Sequence, residues 1–254
     1  MSPSLETRGL TVRFGGHVAV DHVTCAFRPG ELTAIVGPNG AGKTTYFNLI
    51  SGQLRASDGA VAIFGRDVTR LGAPERTRLG LGRAFQLTNL FPQLAVAENV
   101  RLAVQAHAGV HYDMRRPWRG RRDLIDKAEA VLGSVGLGDR RGTQAAALSH
   151  GDQRKLEVAM MMALEPKIAM FDEPTAGMSV DEVPVVLDLI ARLKSDPTRT
   201  ILLVEHKMDV VRSLADRIVV LVNGRLAADG EPQAVIASAV VQEAYLGIAP
   251  GKAA

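Results

Sequence analysis

Nine consecutive residues, 37–45, have the composition of a phosphate-binding loop. They read Gly-Pro-Asn-Gly-Ala-Gly-Lys-Thr-Thr and fit the pattern G-x-x-x-x-G-K-[ST]. Glycines let the backbone curl so that several N–H groups point at one centre, and a helix behind the loop adds its positive N-terminal dipole. Lys43 would reach the β- and γ-phosphates of a nucleotide, and the Thr44 hydroxyl would ligate Mg²⁺. The predicted nucleotide-binding residues of this loop are Gly37, Pro38, Asn39, Gly40, Ala41, Gly42, Lys43, Thr44 and Thr45.

Two adjacent carboxylates follow a short apolar run farther along the chain. Residues 168–171 have the pattern of a buried strand, and Asp172 and Glu173 come directly after it. At the C-terminal edge of such a strand, Asp172 can hold Mg²⁺ through water, and Glu173 can polarise the water that attacks a γ-phosphate. Alone, the pair would equally fit a strand that ends in two solvated acids. On the same chain as a phosphate loop, it indicates nucleotide hydrolysis.

A third segment lies between these two. Residues 148–154 read Leu-Ser-His-Gly-Asp-Gln-Arg and precede an amphipathic helix. By itself this is a helix-capping sequence with Ser149 as the cap. In its position between a phosphate loop and an acidic strand end, it resembles the LSGGQ signature of ATP-binding cassette (ABC) ATPases.

The resemblance extends to other landmarks of that family. Phe14 lies 29 residues before Lys43, where ABC ATPases carry the aromatic side chain that stacks on adenine. Gln86 matches the glutamine loop, residues 174–179 match the D-loop, and His206 matches the switch histidine. Singly, Gln86 and His206 would be ordinary polar residues. Because these landmarks stand in the family's order, the chain is identified as resembling an ABC ATPase.

Family membership implies roles for these residues. Glu173 would be the general base, His206 would steady the γ-phosphate and the attacking water, and Lys43 would complete the catalytic set. The implied Mg²⁺ ligands are Thr44, Gln86 and Asp172. Gln86 would also link the site to the helical lobe. The expected cofactors are therefore ATP and Mg²⁺.

The family mechanism also requires a second ATPase domain, identical or different, that faces the first head to tail. ATP then lies between the phosphate loop of one domain and the signature helix of the other. Ser149, Gly151 and Gln153 would be this chain's contribution to the partner's nucleotide. The sequence departs from the family at His150, Asp152 and Ser179. A side chain at His150 is tolerable only if its backbone keeps negative φ and the ring points away from the nucleotide.

Several segments look like the ATPase subunits of hydrophobic (branched-chain) amino-acid importers. They are residues 12–16, 80–86, 91–92, 97–100, 176–178 and 243–247. That resemblance implies an ATP-hydrolysing subunit that works with two transmembrane permeases and, indirectly, with a periplasmic solute-binding protein. ATPases for urea or amide uptake and for lipopolysaccharide extraction stay open as alternatives. A non-transport ABC ATPase is disfavoured, since the chain has neither a long coiled-coil insertion nor two cassettes.

The elements that would position these residues predict an α/β fold. The family resemblance implies a RecA-like parallel-sheet core, an N-terminal antiparallel β-subdomain and a helical lobe. Residues 1–254 would form one ABC domain, with a core of residues 1–86 and 166–225. Residues 87–165 would be the helical signature lobe, and residues 226–254 a helical tail.

The amino-acid composition excludes several classes of protein and kinds of site. With 46% hydrophobic and 22% charged residues, the chain is globular and not disordered. The single cysteine, Cys25, excludes a disulfide framework and a cysteine-based zinc site within the chain, and we expect it to be buried. The net charge is +3, and the arginine-rich insert at 105–123 has the pattern of a solvated loop, so we expect no nucleic-acid partner. Without a spanning run or a signal sequence, we expect a cytoplasmic protein held at the inner membrane face by permeases.

Overall fold

The computed structural model describes residues 2–84, 90–110, 121–239 and 241–242. In chain order the elements are β1 (Leu5–Phe14), β2 (His17–Phe27), β3 (Leu32–Val36), α1 (Lys43–Ser51), β4 (Asp58–Ile63), β5 (Arg66–Asp67), α2 (Ala73–Arg78), β6 (Leu81–Ala84), α3 (Val96–His107), α4 (Arg122–Ser134), α5 (His150–Leu164), β7 (Ile168–Asp172), α6 (Val183–Lys194), β8 (Thr200–Val204), α7 (Met208–Leu214), β9 (Arg217–Val222), β10 (Arg225–Gly230) and α8 (Pro232–Ile236). Two short 3-10 turns, Gly138–Arg140 and Ala145–Ala147, precede α5. The chain divides into two compact units, a sheet unit (residues 1–83, 167–173 and 194–254) and a helical unit (residues 84–166 and 174–193).

A six-stranded sheet forms the centre of the sheet unit. Its strand order is β10-β9-β3-β8-β7-β6. Strand β3 runs parallel to both β8 and β9, and β7 runs parallel to β8. Every residue of β3, β7 and β8 is buried, as expected for parallel strands covered on both faces. This sheet confirms the predicted α/β class.

The N-terminal strands build a second, antiparallel sheet with the order β2-β1-β4-β5. One apolar core joins this sheet to helix α1 and to the central sheet, and its members include Phe27, Tyr46, Phe47, Ile63, Met170 and Leu202. The predicted antiparallel β-subdomain is therefore confirmed. A hairpin follows near the C-terminus, where Asn223 and Gly224 both have positive φ and return β10 along β9.

The helical unit contains α3, α4 and α5, which pack on one another. Helix α5 begins at His150, because the Ser149 hydroxyl accepts a hydrogen bond from Asp152 N at 3.1 Å. None of the described helices is long and apolar enough to cross a membrane.

The structure differs from the predicted division of the chain in two places. Residues 174–193, expected in the core, belong to the helical unit, since the Glu182 side chain lies against Gly151 and the His150 ring lies against Gly177. Residues 226–230, expected in the helical tail, form most of strand β10, and the tail helix begins only at Pro232. Residues 243–254, Gln86 and the arginine-rich stretch 111–120 lie outside the described residues.

Candidate functional site

The loop between β3 and α1 takes a course that needs glycine at two positions. Gly37 follows the buried strand β3 and has φ +154°; a Cβ there would overlap the carbonyl oxygen of Leu221. Gly42 has φ +93°, and a Cβ there would overlap the carbonyl oxygen of Ala19. Backbone from two other strands therefore approaches the loop too closely for any side chain.

Helix α1 presents its N-terminus to this loop without a side-chain cap. Its N-cap residue is Gly42, no side chain caps the helix start, and the first turn contains no acidic residue. The N–H groups of the first turn thus remain available for an external acceptor, and the helix dipole favours an anion. This arrangement fits the phosphates of a nucleotide.

Lys43, the first residue of α1, folds back across the loop. Its Nζ donates hydrogen bonds to Gly37 O at 2.7 Å and to Pro38 O at 2.9 Å. Burial lowers the pKa of Lys43, while the carboxylates of Glu173 and Asp172 act in the opposite direction. The ammonium group is therefore held at the loop between backbone carbonyls and near two negative charges.

Asp172 ends strand β7 and is buried. Its Oδ2 accepts a hydrogen bond from Arg83 Nη2 at 2.7 Å, whereas its Oδ1 has no hydrogen-bond partner within the described parts of the chain. Burial raises the pKa of Asp172, and the neighbouring Arg83 guanidinium lowers it. A buried carboxylate oxygen without a partner, together with the Thr44 hydroxyl, offers the hard oxygen donors that Mg²⁺ prefers.

The described residues contain no cluster of three or more histidine, cysteine or acidic side chains that could hold a metal ion alone. A divalent cation at this site would therefore need oxygen atoms from the nucleotide as well. That matches the usual binding of Mg²⁺ by one or two carboxylates, waters and substrate phosphates.

Glu173 and His206 meet after the ends of β7 and β8. Glu173 Oε1 and His206 Nε2 are 2.6 Å apart. Glu173 N donates to Val204 O at 2.9 Å, and His206 N donates to the buried Glu205 carboxylate at 2.9 Å, so both backbones are fixed. The pair can place a proton acceptor and an orienting imidazole at one point.

A pocket of about 260 Å³ joins the phosphate loop to Glu173 and His206, and Asp172 does not line it. It is lined by His17, Ala19, Asn39, Gly40, Ala41, Gly42, Lys43, Thr44, Thr45, Glu173 and His206. The structure thus brings most of the predicted loop residues together with both predicted catalytic partners of Lys43. Gly37 and Pro38 instead contribute the carbonyls that hold Lys43.

Phe14 lies beside this pocket in the β-structure but does not line it. It ends β1, pairs with His17 across the hairpin and is 51% exposed, so about half of its surface is accessible to a partner. The sequence did not point to His17 or Ala19. One sequence feature could have pointed to them. His17 and Ala19 are two residues apart on β2, just after the turn that follows Phe14, so they lie on the same face of the strand.

The predicted signature residues lie in the helical unit. Ser149 caps α5, and Gly151 sits in its first turn against the Glu182 carboxylate. Gln153 donates to Ala145 O at 3.4 Å and to Leu148 O at 3.3 Å, so its side chain holds the preceding turn. His150 lies in the helix with negative φ, as the sequence required, and its Cε1 lies 3.1 Å from where a Cβ on Gly177 would be.

Comparison with known proteins agrees with this geometry. Residues 20–176 match the family model described as ABC transporter. The high-affinity branched-chain amino acid transport ATP-binding protein LivG of Escherichia coli is 37% identical over 250 residues, which cover 96% of this chain and 98% of that protein. The corresponding protein BraF of Pseudomonas aeruginosa is 36% identical over the same shares of the two chains.

Solved structures agree as well. The ADP conformation of an ATP-binding cassette of an ABC transporter superposes with a TM-score of 0.83 at 28% identity, covering 98% of this chain and all (100%) of that chain. A nucleotide-free ATP-binding cassette gives a TM-score of 0.83 at 27% identity, covering 97% and 100%. The chain therefore belongs to the ABC transporter family, in which it is an ATP-binding and ATP-hydrolysing cassette.

Proposed function

We propose that this chain powers an importer for branched-chain amino acids. The observation that carries the proposal for the chemistry is the contact of 2.6 Å between Glu173 and His206 at the pocket of the phosphate loop. The transported solute is inferred from the names of the relatives, which are branched-chain amino acid transport proteins at 37% and 36% identity. No residue described above has a place on a solute pathway, so the solute needs its own test.

ATP binds with its phosphates over the N-terminus of α1. The backbone N–H groups of residues 39–45 surround the β- and γ-phosphates, and Lys43 exchanges its loop carbonyls for phosphate oxygens. Adenine stacks on the exposed ring of Phe14. Thr44, Asp172 and Gln86 would hold Mg²⁺, which would supply positive charge to the phosphates.

Hydrolysis uses Glu173 as the base. Its carboxylate accepts a proton from the water that attacks the γ-phosphate, while His206 orients that water and the phosphate. Before the nucleotide arrives, the two side chains bond to each other. Both groups therefore need no more than a local rearrangement to reach the reacting atoms.

Productive hydrolysis requires a second cassette. Ser149, Gly151 and Gln153 of one chain complete the nucleotide site of the other, because the N-terminus of α5 favours the γ-phosphate. The pair of cassettes works at the inner face of the membrane, bound to two permeases that receive solute from a periplasmic binding protein. Loss of the shared γ-phosphate then separates the two cassettes.

Uptake into proteoliposomes tests the proposal. The chain is assembled with its permeases and partner cassette, ATP is enclosed, and the solute-binding protein is added with labelled leucine, isoleucine or valine outside. We expect ATP-dependent accumulation of these amino acids, and none when the chain carries Lys43→Ala. Accumulation of urea or a short amide instead, with none of leucine, would assign the importer to that alternative class.

A further inference from the structure

One buried arginine of the sheet unit is not explained by the roles above. Arg83 lies on β6, and its side chain is only 6% exposed. Burial lowers the pKa of its guanidinium, and the Asp172 carboxylate raises it, so burying this charge has a cost that a surface position would avoid. What surrounds the guanidinium therefore shows what the residue does.

On one side, Arg83 holds the C-terminal end of α1 and the chain that follows it. Its Nη1 donates to Asn48 Oδ1 at 2.7 Å, to Ser51 Oγ at 2.8 Å and to Gln53 Oε1 at 3.0 Å. Its guanidinium carbon also lies 5.6 Å from the centre of the Phe47 ring. These partners lie in α1, the helix that begins at the phosphate loop, except for Gln53, which follows its C-terminal end.

On the other side, Arg83 holds one oxygen of Asp172. Nη2 donates to Oδ2 at 2.7 Å, and Oδ1 is left without a hydrogen-bond partner among the described residues. A carboxylate fixed at one oxygen can rotate little about its last bond. The hydrogen bond to Oδ2 consequently also fixes the direction in which Oδ1 points.

We propose that Arg83 is a positioning residue that orients Asp172 for the divalent cation and ties it to helix α1. The inference rests on the proposed function, because it takes Asp172 as a residue of the Mg²⁺ site. The planar guanidinium suits this role, since its two nitrogens reach Asp172 and α1 at once. A lysine, whose three donors all lie on one nitrogen, lacks the two separate nitrogens that face Asp172 and α1 here.

The affinity for a fluorescent ADP analogue, measured with excess Mg²⁺ and with a chelator, tests this role without any hydrolysis. The ratio of the two affinities reports how much the metal contributes. Loss of a group that orients a metal ligand typically costs about 10–100-fold in metal affinity. We therefore expect Arg83→Lys and Arg83→Ala to lower this ratio about tenfold or more, and to leave the affinity in chelator close to that of the wild type.

Arg76→Lys is the matched control. Arg76 is another buried arginine of the same unit, but its hydrogen bonds go to backbone carbonyls of residues 49, 50, 69 and 71. We expect the Mg²⁺ ratio of this variant to equal that of the wild type. Circular dichroism identifies the folded variants, and Arg83→Lys carries the test if Arg83→Ala does not fold.

A double-mutant cycle separates positioning from general destabilisation. In an Asp172→Asn background the effect of Arg83→Lys on the Mg²⁺ ratio should vanish, because Arg83 acts through Asp172. An unchanged ratio in Arg83→Lys, or an equal loss of affinity with and without metal, would overturn the inference and leave the proposed function standing. If Mg²⁺ does not strengthen nucleotide binding by the wild type, the proposed function fails first, and this inference fails with it.

Discussion

Glu173 is held in a backbone conformation that L-residues seldom adopt. Its φ is +51°, in the left-handed region, directly after the last residue of β7. A non-glycine residue in this region costs of order 1–3 kcal/mol and persists where its surroundings fix it. Here the hydrogen bond from Glu173 N to Val204 O fixes it, and the result is a carboxylate aimed at His206.

At this scale we predict that Glu173→Gln separates binding from turnover. Glutamine keeps the shape of the side chain but does not accept the proton, so the ATP hydrolysis rate should fall by about 10²–10⁴-fold. Nucleotide binding should survive, since Lys43, Thr44 and Asp172 are unchanged. ATP would then hold two cassettes together, and light scattering after size exclusion should show a dimer with MgATP and a monomer without it.

The control adds Ser149→Arg, which places a bulky cation at the cap of α5 and should abolish that dimer without restoring hydrolysis. The partner cassette is included in both measurements, in case the native pair is heteromeric. Hydrolysis near the wild-type rate in Glu173→Gln would refute the base assignment. A monomer that binds MgATP even with its partner cassette would refute the two-cassette arrangement.

Among single residues, the sequence was informative where spacing along the chain defines the site. The loop at 37–45 and the pair Asp172 and Glu173 are each contiguous, so their chemistry can be read locally. Arg83 could not be found in this way, because its partners come from α1 and β7. A cationic residue on a strand otherwise reads as solvent-facing, and only the fold shows it to be buried.

At the scale of elements, helix α1 depends on a second arginine. Arg76 is 2% exposed and donates to Leu49 O at 2.7 Å and to Ile50 O at 2.6 Å, two carbonyls at the C-terminal end of α1. Leu49 O also accepts a hydrogen bond from Gly52 N at 3.3 Å. It also donates to Leu71 O and Thr69 O. This residue of α2 thus ends α1 with a charge that complements the helix dipole.

We predict that Arg76→Ala lowers the free energy of unfolding by about 1–3 kcal/mol, because the buried Ile50 carbonyl loses its donor while the Leu49 carbonyl keeps only the one from Gly52 N. Urea unfolding followed by circular dichroism measures the change. Arg78→Ala, on the exposed side of the same short helix, is the control and should stay within about 0.5 kcal/mol of the wild type. Equal midpoints for the two variants would show that the carbonyls find other donors.

The elements that sequence reasoning found are those with long apolar patterns. Strands β3, β7 and β8 are short runs of mostly apolar residues, and α3 and α4 repeat apolar residues at helical spacing, so these patterns predict them. Strand β5 and helix α2 were not predicted. They have two and six residues, and tertiary contacts such as those of Arg76 hold them in place, which no local pattern records.

At the scale of the whole molecule, the two units differ in how their residues are distributed along the sequence. The sheet unit collects residues from three separate stretches of the chain, whereas most of the helical unit is one continuous stretch. Helices in one continuous stretch can be predicted from the period of their apolar residues, whereas a unit built from separate stretches has no such local pattern. Residues 174–193 were assigned to the core because they follow β7 in sequence, and only the contacts of Gly151 and Gly177 show otherwise.

The single cysteine reports on opening of the sheet unit as a whole. Cys25 is buried in its core, and burial, helped by the charge of Asp229, raises the pKa of the thiol to about 11. At pH 8 only about one thiol in a thousand would then be ionised, and the thiolate is the reactive form. We predict that a thiol reagent labels the native protein at least 100-fold more slowly than the urea-unfolded protein.

Labelling is followed by absorbance with an aromatic disulfide, and the unfolded chain serves as its own control because it contains the same single thiol. Adding MgATP should slow the native reaction further, since bound nucleotide stabilises the unit that contains Cys25. Rapid labelling of the native protein would mean that the apolar core around Cys25 opens far more often than its burial predicts.

The hydrogen bonds of Lys43 have a consequence for successive rounds of ATP binding and product release. Its ammonium group has carbonyl acceptors within its own loop, and phosphate oxygens would replace them when ATP enters. Capture and release are then exchanges of one set of hydrogen bonds for another, and neither leaves a buried cation bare. The same lysine can therefore serve in cycle after cycle, because the carbonyls of Gly37 and Pro38 accept its hydrogen bonds again when the product leaves.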